Sequence, residues 1–265
     1  MNDNLRKAEK EYFIYMFGEE EARRIEAMPP IKKAKRTSEG YPEREKWKMN
    51  RAINEKRIKM EKELTSKFKA KASDSFNTKW KLFLFDYVVY KKDSEDLSLS
   101  SFRVFRISNN LINLYTTEYW QKDKEDFINE DLKIKVDVIY KTLKILNESQ
   151  KELNKDCRTD YINNYEELIF NKEDFKKLLS QESCGYCGMT REKVDQLFEK
   201  KMLYKKNERG WNLEIDRKNS NLEYTKDNCV MCCYWCNNAK TDEFTYSEFK
   251  EIGLAFKQVW DKRLK

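Results

Sequence analysis

Four cysteines arranged as Cys184-Gly185-Tyr186-Cys187 and Cys233-Tyr234-Trp235-Cys236 have the spacing of a metal site. Thiolates in such a turn reach one ion together, and two turns supply the four tetrahedral ligands that a structural zinc takes. A further pair, Cys229-Val230-Met231-Cys232, has the same spacing. The residues alone therefore leave open which downstream pair completes the site. Between the outer pairs, Trp211 to Lys218 alternates apolar and polar residues up to the carboxylate of Asp216. Polar Asn219-Ser220-Asn221 and then Tyr224 to Cys229 follow. This reads as a strand, a loop and a helix clamped by zinc.

The elements that must position this stretch belong to a chain of 265 residues, enough for one large or two modest domains. At 39% hydrophobic and 14% aromatic residues it can bury a core. It has no apolar run of membrane-spanning length and no charged-then-apolar leader. Four of the seven cysteines make up the two outer spaced pairs, which favours reduced, metal-bound thiols over disulfides. The expectation is a cytoplasmic, non-secreted protein with no membrane partner.

Charge is unevenly spread. Residues 32 to 72 hold fifteen Lys or Arg against six Glu, a net of +9, so the remainder carries −2 of the overall +7. A solvated helix face can be this basic, but clustering of all the excess charge is also the footprint of a phosphate-backbone binder. The expected contacts are Lys32, Lys33, Lys35 and Arg36 in a basic arm, then Arg44, Lys48, Arg51, Lys56 and Arg57 on a following helix, with Lys240 in the cysteine-rich part.

Apolar spacing predicts a helix over 3–28, ended by Pro29-Pro30, and a long basic helix from Glu43 to about Ser73. Trp80 to Tyr90 is apolar almost throughout, Phe102 to Ile107 looks β-like, and 131–153 reads as a helix. Asn171 caps a helix from about Lys172 to Ser180, Thr190 caps the next, and Thr245 to Lys265 forms an amphipathic helix closing the zinc module. Cys157 reads as a lone structural thiol.

A CxxC pair, an apolar-x-apolar-Asp strand, a further Asn, then CxxCN with Lys three residues beyond: together these resemble the HNH, ββα-metal or His-Me finger, endonucleases. The likeness is nearest to zinc-stapled members of the endonuclease VII and phage types, over about residues 171 to 250. The resemblance favours Cys233 and Cys236 as the second zinc pair, because Asn237 follows directly. It implies that Asp216 and Asn237 hold a catalytic divalent ion, Mg²⁺ or Mn²⁺, and that Asn228 braces the loop as part of the catalytic set. A hard cation taking oxygen ligands, with water and phosphate in the remaining positions, agrees with that donor set.

One departure matters. The family's general base is a His directly after the metal-binding Asp; here that position is Arg217, and the chain contains no His. Arginine stays protonated near neutrality and can serve only to hold phosphate or stabilise developing charge. Glu214, on the same strand face as Asp216, is the best replacement base. The expected architecture is mainly α with a small α+β module: a helix-rich nucleic-acid-binding region over 1–170 and a zinc-bound HNH-like ββα finger over 171–265. The implied activity is hydrolysis of DNA phosphodiesters, the alternative being a zinc-dependent DNA-binding or interaction protein that keeps the fold without cleavage. RNA is not excluded as a partner, and the sequence does not speak to oligomeric state.

Overall fold

A computed structural model describes residues 41–203 and 210–265. The expected helix over 3–28 and the basic arm with Lys32, Lys33, Lys35 and Arg36 lie outside the described residues. The chain divides into two compact units, Met1–Glu63 and Leu64–Lys265. The described part of the first is the opening of α1 (Tyr41–Val89), a helix of 49 residues. Pro42 sits in its first turn, where a missing N–H breaks no helical bond. Arg44 and Lys48 lie on this helix. Arg51, Lys56 and Arg57 are exposed along it, Arg51 donating to Glu55 at 2.8 Å.

The expected end of this helix at Ser73 falls short by sixteen residues, because the apolar run from Trp80 continues it to Val89. Leu82, Phe83, Leu84, Phe85 and Val89 are all buried there. A helix covered on every side loses its polar stripe, and with it the period that would identify it.

In the second unit, α2 (Leu99–Val104) is capped by Ser98, and α3 (Asn109–Asn113) runs directly into a π-helical turn over Leu114–Tyr119. The β-like reading of Phe102 to Ile107 is thus corrected over its first half: Phe102 is buried on a short helix while Val104 stays in water. Two-residue strands β1 (Phe127–Ile128) and β2 (Ile134–Lys135) pair antiparallel. Helices α4 (Val136–Ser149) and α5 (Lys151–Leu168) follow, so the single helix expected over 131–153 is in fact strand, helix and helix.

Helices α6 (Lys172–Leu179) and α7 (Arg191–Glu199) start where their caps predict, with Asn171 accepting from Asp174 N–H and Thr190 from Lys193 N–H. Strands β3 (Glu214–Arg217) and β4 (Cys229–Cys232) pair antiparallel, Glu214 opposite Cys232 and Arg217 opposite Cys229. Helix α8 (Tyr234–Lys240) and α9 (Tyr246–Leu264) complete the chain, α9 opening on a Thr245–Glu248 capping box. Mainly helical structure with a small β part is as expected. Among the described residues no helix is long and apolar enough to cross a membrane.

Strand β4 is an element that the periodicity of the sequence does not mark. All four of its residues are buried, so neither face shows the polar alternation of a half-buried strand. Its Cys229 and Met231 enter a core with Phe68, Phe76 and Trp80 of α1 and Tyr161 and Tyr165 of α5. Its Val230 and Cys232 enter another with the four outer cysteines, Val194, Leu197, Phe249 and Trp260. Period-two geometry sends alternate side chains to opposite faces, and here each face meets a different core.

Helix α9 reaches the first cysteine turn through Gly253, where an added Cβ would lie 2.7 Å from the Tyr186 carbonyl oxygen. In an open helix, Gly to Ala stabilises by about 1 kcal/mol. Here overpacking, typically ~1–3 kcal/mol, opposes that gain. Gly253→Ala should therefore lower the melting temperature, and a rise would show that the helix and the turn do not meet this closely.

Candidate functional site

The sulphurs of Cys184, Cys187, Cys233 and Cys236 lie within 4.8 Å of one another, and all four residues are buried. Cys187 and Cys233 are 3.6 Å apart, Sγ to Sγ. Zn–S bonds of about 2.3 Å in a tetrahedron put sulphurs about 3.8 Å apart, so this cluster could bind zinc. Hydrogen bonds from Cys187, Cys233 and Cys236 hold Cys184 below the ordinary thiol range. Cys229 and Cys232 lie outside that group. Burial pushes Cys229 up to about 12 and raises Cys232 as well, so both are neutral thiols, and Cys232 donates to the Glu214 carbonyl. Cys157 is fully buried in the core shared by α1 and α5.

The first cysteine turn needs Gly188, which adopts φ +67° directly after Cys187. Its amide closes the turn by donating to the Cys184 carbonyl at 2.9 Å. Gly185 donates to the Met231 carbonyl at 2.8 Å and thereby joins the turn to β4. The second pair sits at the start of α8, with Cys233 as its N-cap.

Side chains two apart on a strand share a face, and side chains three apart on a helix do also. Glu214 and Asp216 on β3 accordingly meet Asn237 and Lys240 on α8. Asn237 Nδ2 donates to Glu214 Oε2 at 2.6 Å. Lys240 Nζ lies 3.5 Å from Asp216 Oδ2 and donates to the Arg217 carbonyl at 2.9 Å. Tyr186 Oη also donates to Asp216 Oδ2, at 2.7 Å. Burial, and then this bond to a carboxylate, raise the Tyr186 phenol, so it acts as a fixed donor near neutrality.

Three expectations change in detail. Lys240, expected on a nucleic-acid face, is fully buried against Asp216, so a phosphate contact there is closed to it. Arg217, expected to face phosphate, donates from one Nη to Thr78 Oγ1 at 2.8 Å and the Leu222 carbonyl at 3.1 Å, and lies 4.8 Å over the Tyr224 ring. It ties β3 to α1. Asn228 accepts from Asn219 N–H at 2.9 Å and donates to the Asn219 and Glu223 carbonyls at 3.0 and 2.8 Å. Its amide braces the loop and has no hydrogen left for chemistry.

That loop is anchored from outside as well. Ser75 on α1 accepts from Tyr224 N–H at 2.8 Å, while Tyr165 and Tyr161 of α5 donate to the Tyr224 carbonyl and to Glu223, both at 2.5 Å. Sequence reasoning did not find Tyr186, Ser75, Thr78, Tyr161 or Tyr165. Tyr186 was within reach, since a tyrosine inside a CxxC turn is held rigidly enough to orient a neighbour. The others are brought in by tertiary packing from 59 to 149 positions away, for which the sequence carries no local mark.

No family model matches the chain, and no curated protein matches it. Among solved structures, that of the rare-cutting HNH restriction endonuclease PacI is similar, with 23% identity over 54% of this chain and 90% of that one. The TM-score is 0.27. The two chains thus superpose poorly.

Proposed function

We propose that the chain is an HNH-like endonuclease that hydrolyses DNA phosphodiesters, its ββα finger formed by β3, β4 and α8. The observation that carries this reading is the meeting of Glu214, Asp216 and Asn237 in one site directly beside the four-cysteine cluster. In this reading residues 171–265 form the finger, residues 1–170 are the helix-rich part that grips nucleic acid, and zinc in the cysteine cluster is structural. Basic α1, with Arg44, Lys48, Arg51, Lys56 and Arg57, contributes backbone affinity that weakens with salt.

Asp216 and the Asn237 amide oxygen fit a hard divalent cation such as Mg²⁺ or Mn²⁺ in kind, since both offer oxygen and two protein ligands leave room for water and substrate. When bound, such an ion would neutralise charge on the phosphate and on the leaving oxygen. The chain's own side chains supply the rest. Glu214, held by Asn237, accepts a proton from the attacking water as its oxygen bonds to phosphorus and the opposite P–O bond breaks. Tyr186 and Lys240 fix the rotamer of Asp216, and Asn228 keeps the loop after β3 in place.

The test is nicking of supercoiled DNA in Mg²⁺ or Mn²⁺ by the parent, Asp216→Ala and Glu214→Gln. Cleavage should vanish in the first variant and fall by about 10²–10⁴ in the second. The absence of His favours one rival, a zinc-dependent DNA-binding protein without activity. DNA retained by all three proteins with no cleavage by any would establish that rival.

A further inference from the structure

Away from the β3–α8 site, the second unit contains a cavity of about 480 Å³ between the end of α1, the π-helical turn and α4. Buried Trp80 and Tyr115 form part of its lining. Trp120 and Tyr140, also lining it, are 66% and 54% exposed. Large rings left in water beside a cavity are what an interaction site shows, whereas rings serving only the core are covered.

The π-helical turn accounts for the grouping. Trp120 N–H donates to the Tyr115 carbonyl five residues back, at 3.2 Å. That wider turn gathers Tyr115, Tyr119 and Trp120 into one cluster, with ring centroids 5.6 to 5.9 Å apart. Such turns are uncommon and recur at functional sites.

Charge and hydrogen-bonding groups complete the lining. Lys81 Nζ lies 4.6 Å over the Tyr115 ring, Lys144 lines the cavity, and Lys124 Nζ is 6.0 Å from the Tyr140 ring. Asn147 accepts from Trp80 Nε1 at 3.2 Å, which leaves its amide hydrogens as donors in the wall, next to the Glu148 carboxylate as an acceptor.

We propose that this cavity receives an unpaired nucleobase of a DNA strand, stacked on Trp120 and Tyr140, with the flanking phosphates held by Lys81 and Lys144. Stacking rings interleaved with cations are what binding of a single strand requires, and the volume falls within the roughly 300–1,000 Å³ of small-ligand pockets. The inference rests on the nuclease reading and adds the form of nucleic acid that is held.

The test uses the zinc-loaded full chain and fluorescence anisotropy with two dye-labelled oligonucleotides of about a dozen nucleotides, within the ~4–16 that single-strand sites cover. One is single-stranded DNA, and the other has the same backbone with tetrahydrofuran in place of every base. Trp120→Ala and Tyr140→Ala should each weaken binding of the first by about 5- to 150-fold and leave the second unchanged. Both side chains are exposed, so truncation should leave the fold intact, which circular dichroism checks. Equal binding of the two strands by the parent, or variants as tight as the parent, would overturn the pocket. If duplex DNA were still bound with a steep salt dependence in that case, the nuclease reading would stand without it. If no DNA were bound at all, both would fall.

Discussion

Cys184→Ser or Cys233→Ser should abolish binding of one zinc per chain and melt the finger, while Cys229→Ser and Cys232→Ser should keep the metal. The expectation follows from the four clustered sulphurs, a group that includes neither thiol of β4. Structural zinc contributes about 10–16 kcal/mol in small zinc-finger peptides, as much as the whole stability of an ordinary domain. Elemental analysis with thermal melting before and after a chelator decides the matter. A well-folded, zinc-free parent would remove the staple, and loss of zinc in Cys232→Ser would reassign its ligands.

Lys240→Met should be the most damaging single change outside the cysteines. The ammonium is fully buried, so removing it leaves the Asp216 carboxylate and the Arg217 carbonyl short of their donor. Breaking a buried ion pair from one side costs about 3–5 kcal/mol. At about 2–4 °C per kcal/mol for a chain of this size, the melting temperature should drop by roughly 6–20 °C. Part of that loss comes from the carboxylate left behind. Asp216→Asn combined with Lys240→Met should thus be more stable than Lys240→Met alone. A single variant as stable as the parent would mean that the pair is not formed.

Much of the site was legible because its spacing is local. Two CxxC turns, with the resemblance choosing the pair that Asn237 follows, pointed to the four sulphurs that cluster, and Asn171, Thr190 and Thr245 marked helix starts through their own side chains. What stayed hidden was set by burial. Strand β4 and residues 82–85 of α1 are covered on all sides, which erases periodicity. Lys240 looked like surface charge because lysine is seldom fully buried, and only tertiary structure reveals the carboxylate opposite it. Arg217 was noticed for the histidine it displaces, yet its engagement of Thr78 depends on a helix 139 residues earlier in the chain.

The two-faced burial of β4 bears on how the protein gains and loses its structure. With Cys229 and Met231 in the helical core and Val230 and Cys232 in the core around the cysteines, neither core can open without exposing one side of the same four residues. On the zinc reading, metal capture in the cluster and packing of the helical core are coupled through β4, and a reporter such as Trp80, in that core, should register zinc that it never touches. Scarcity of zinc would accordingly loosen the packing of α1 on α5 as the finger melts.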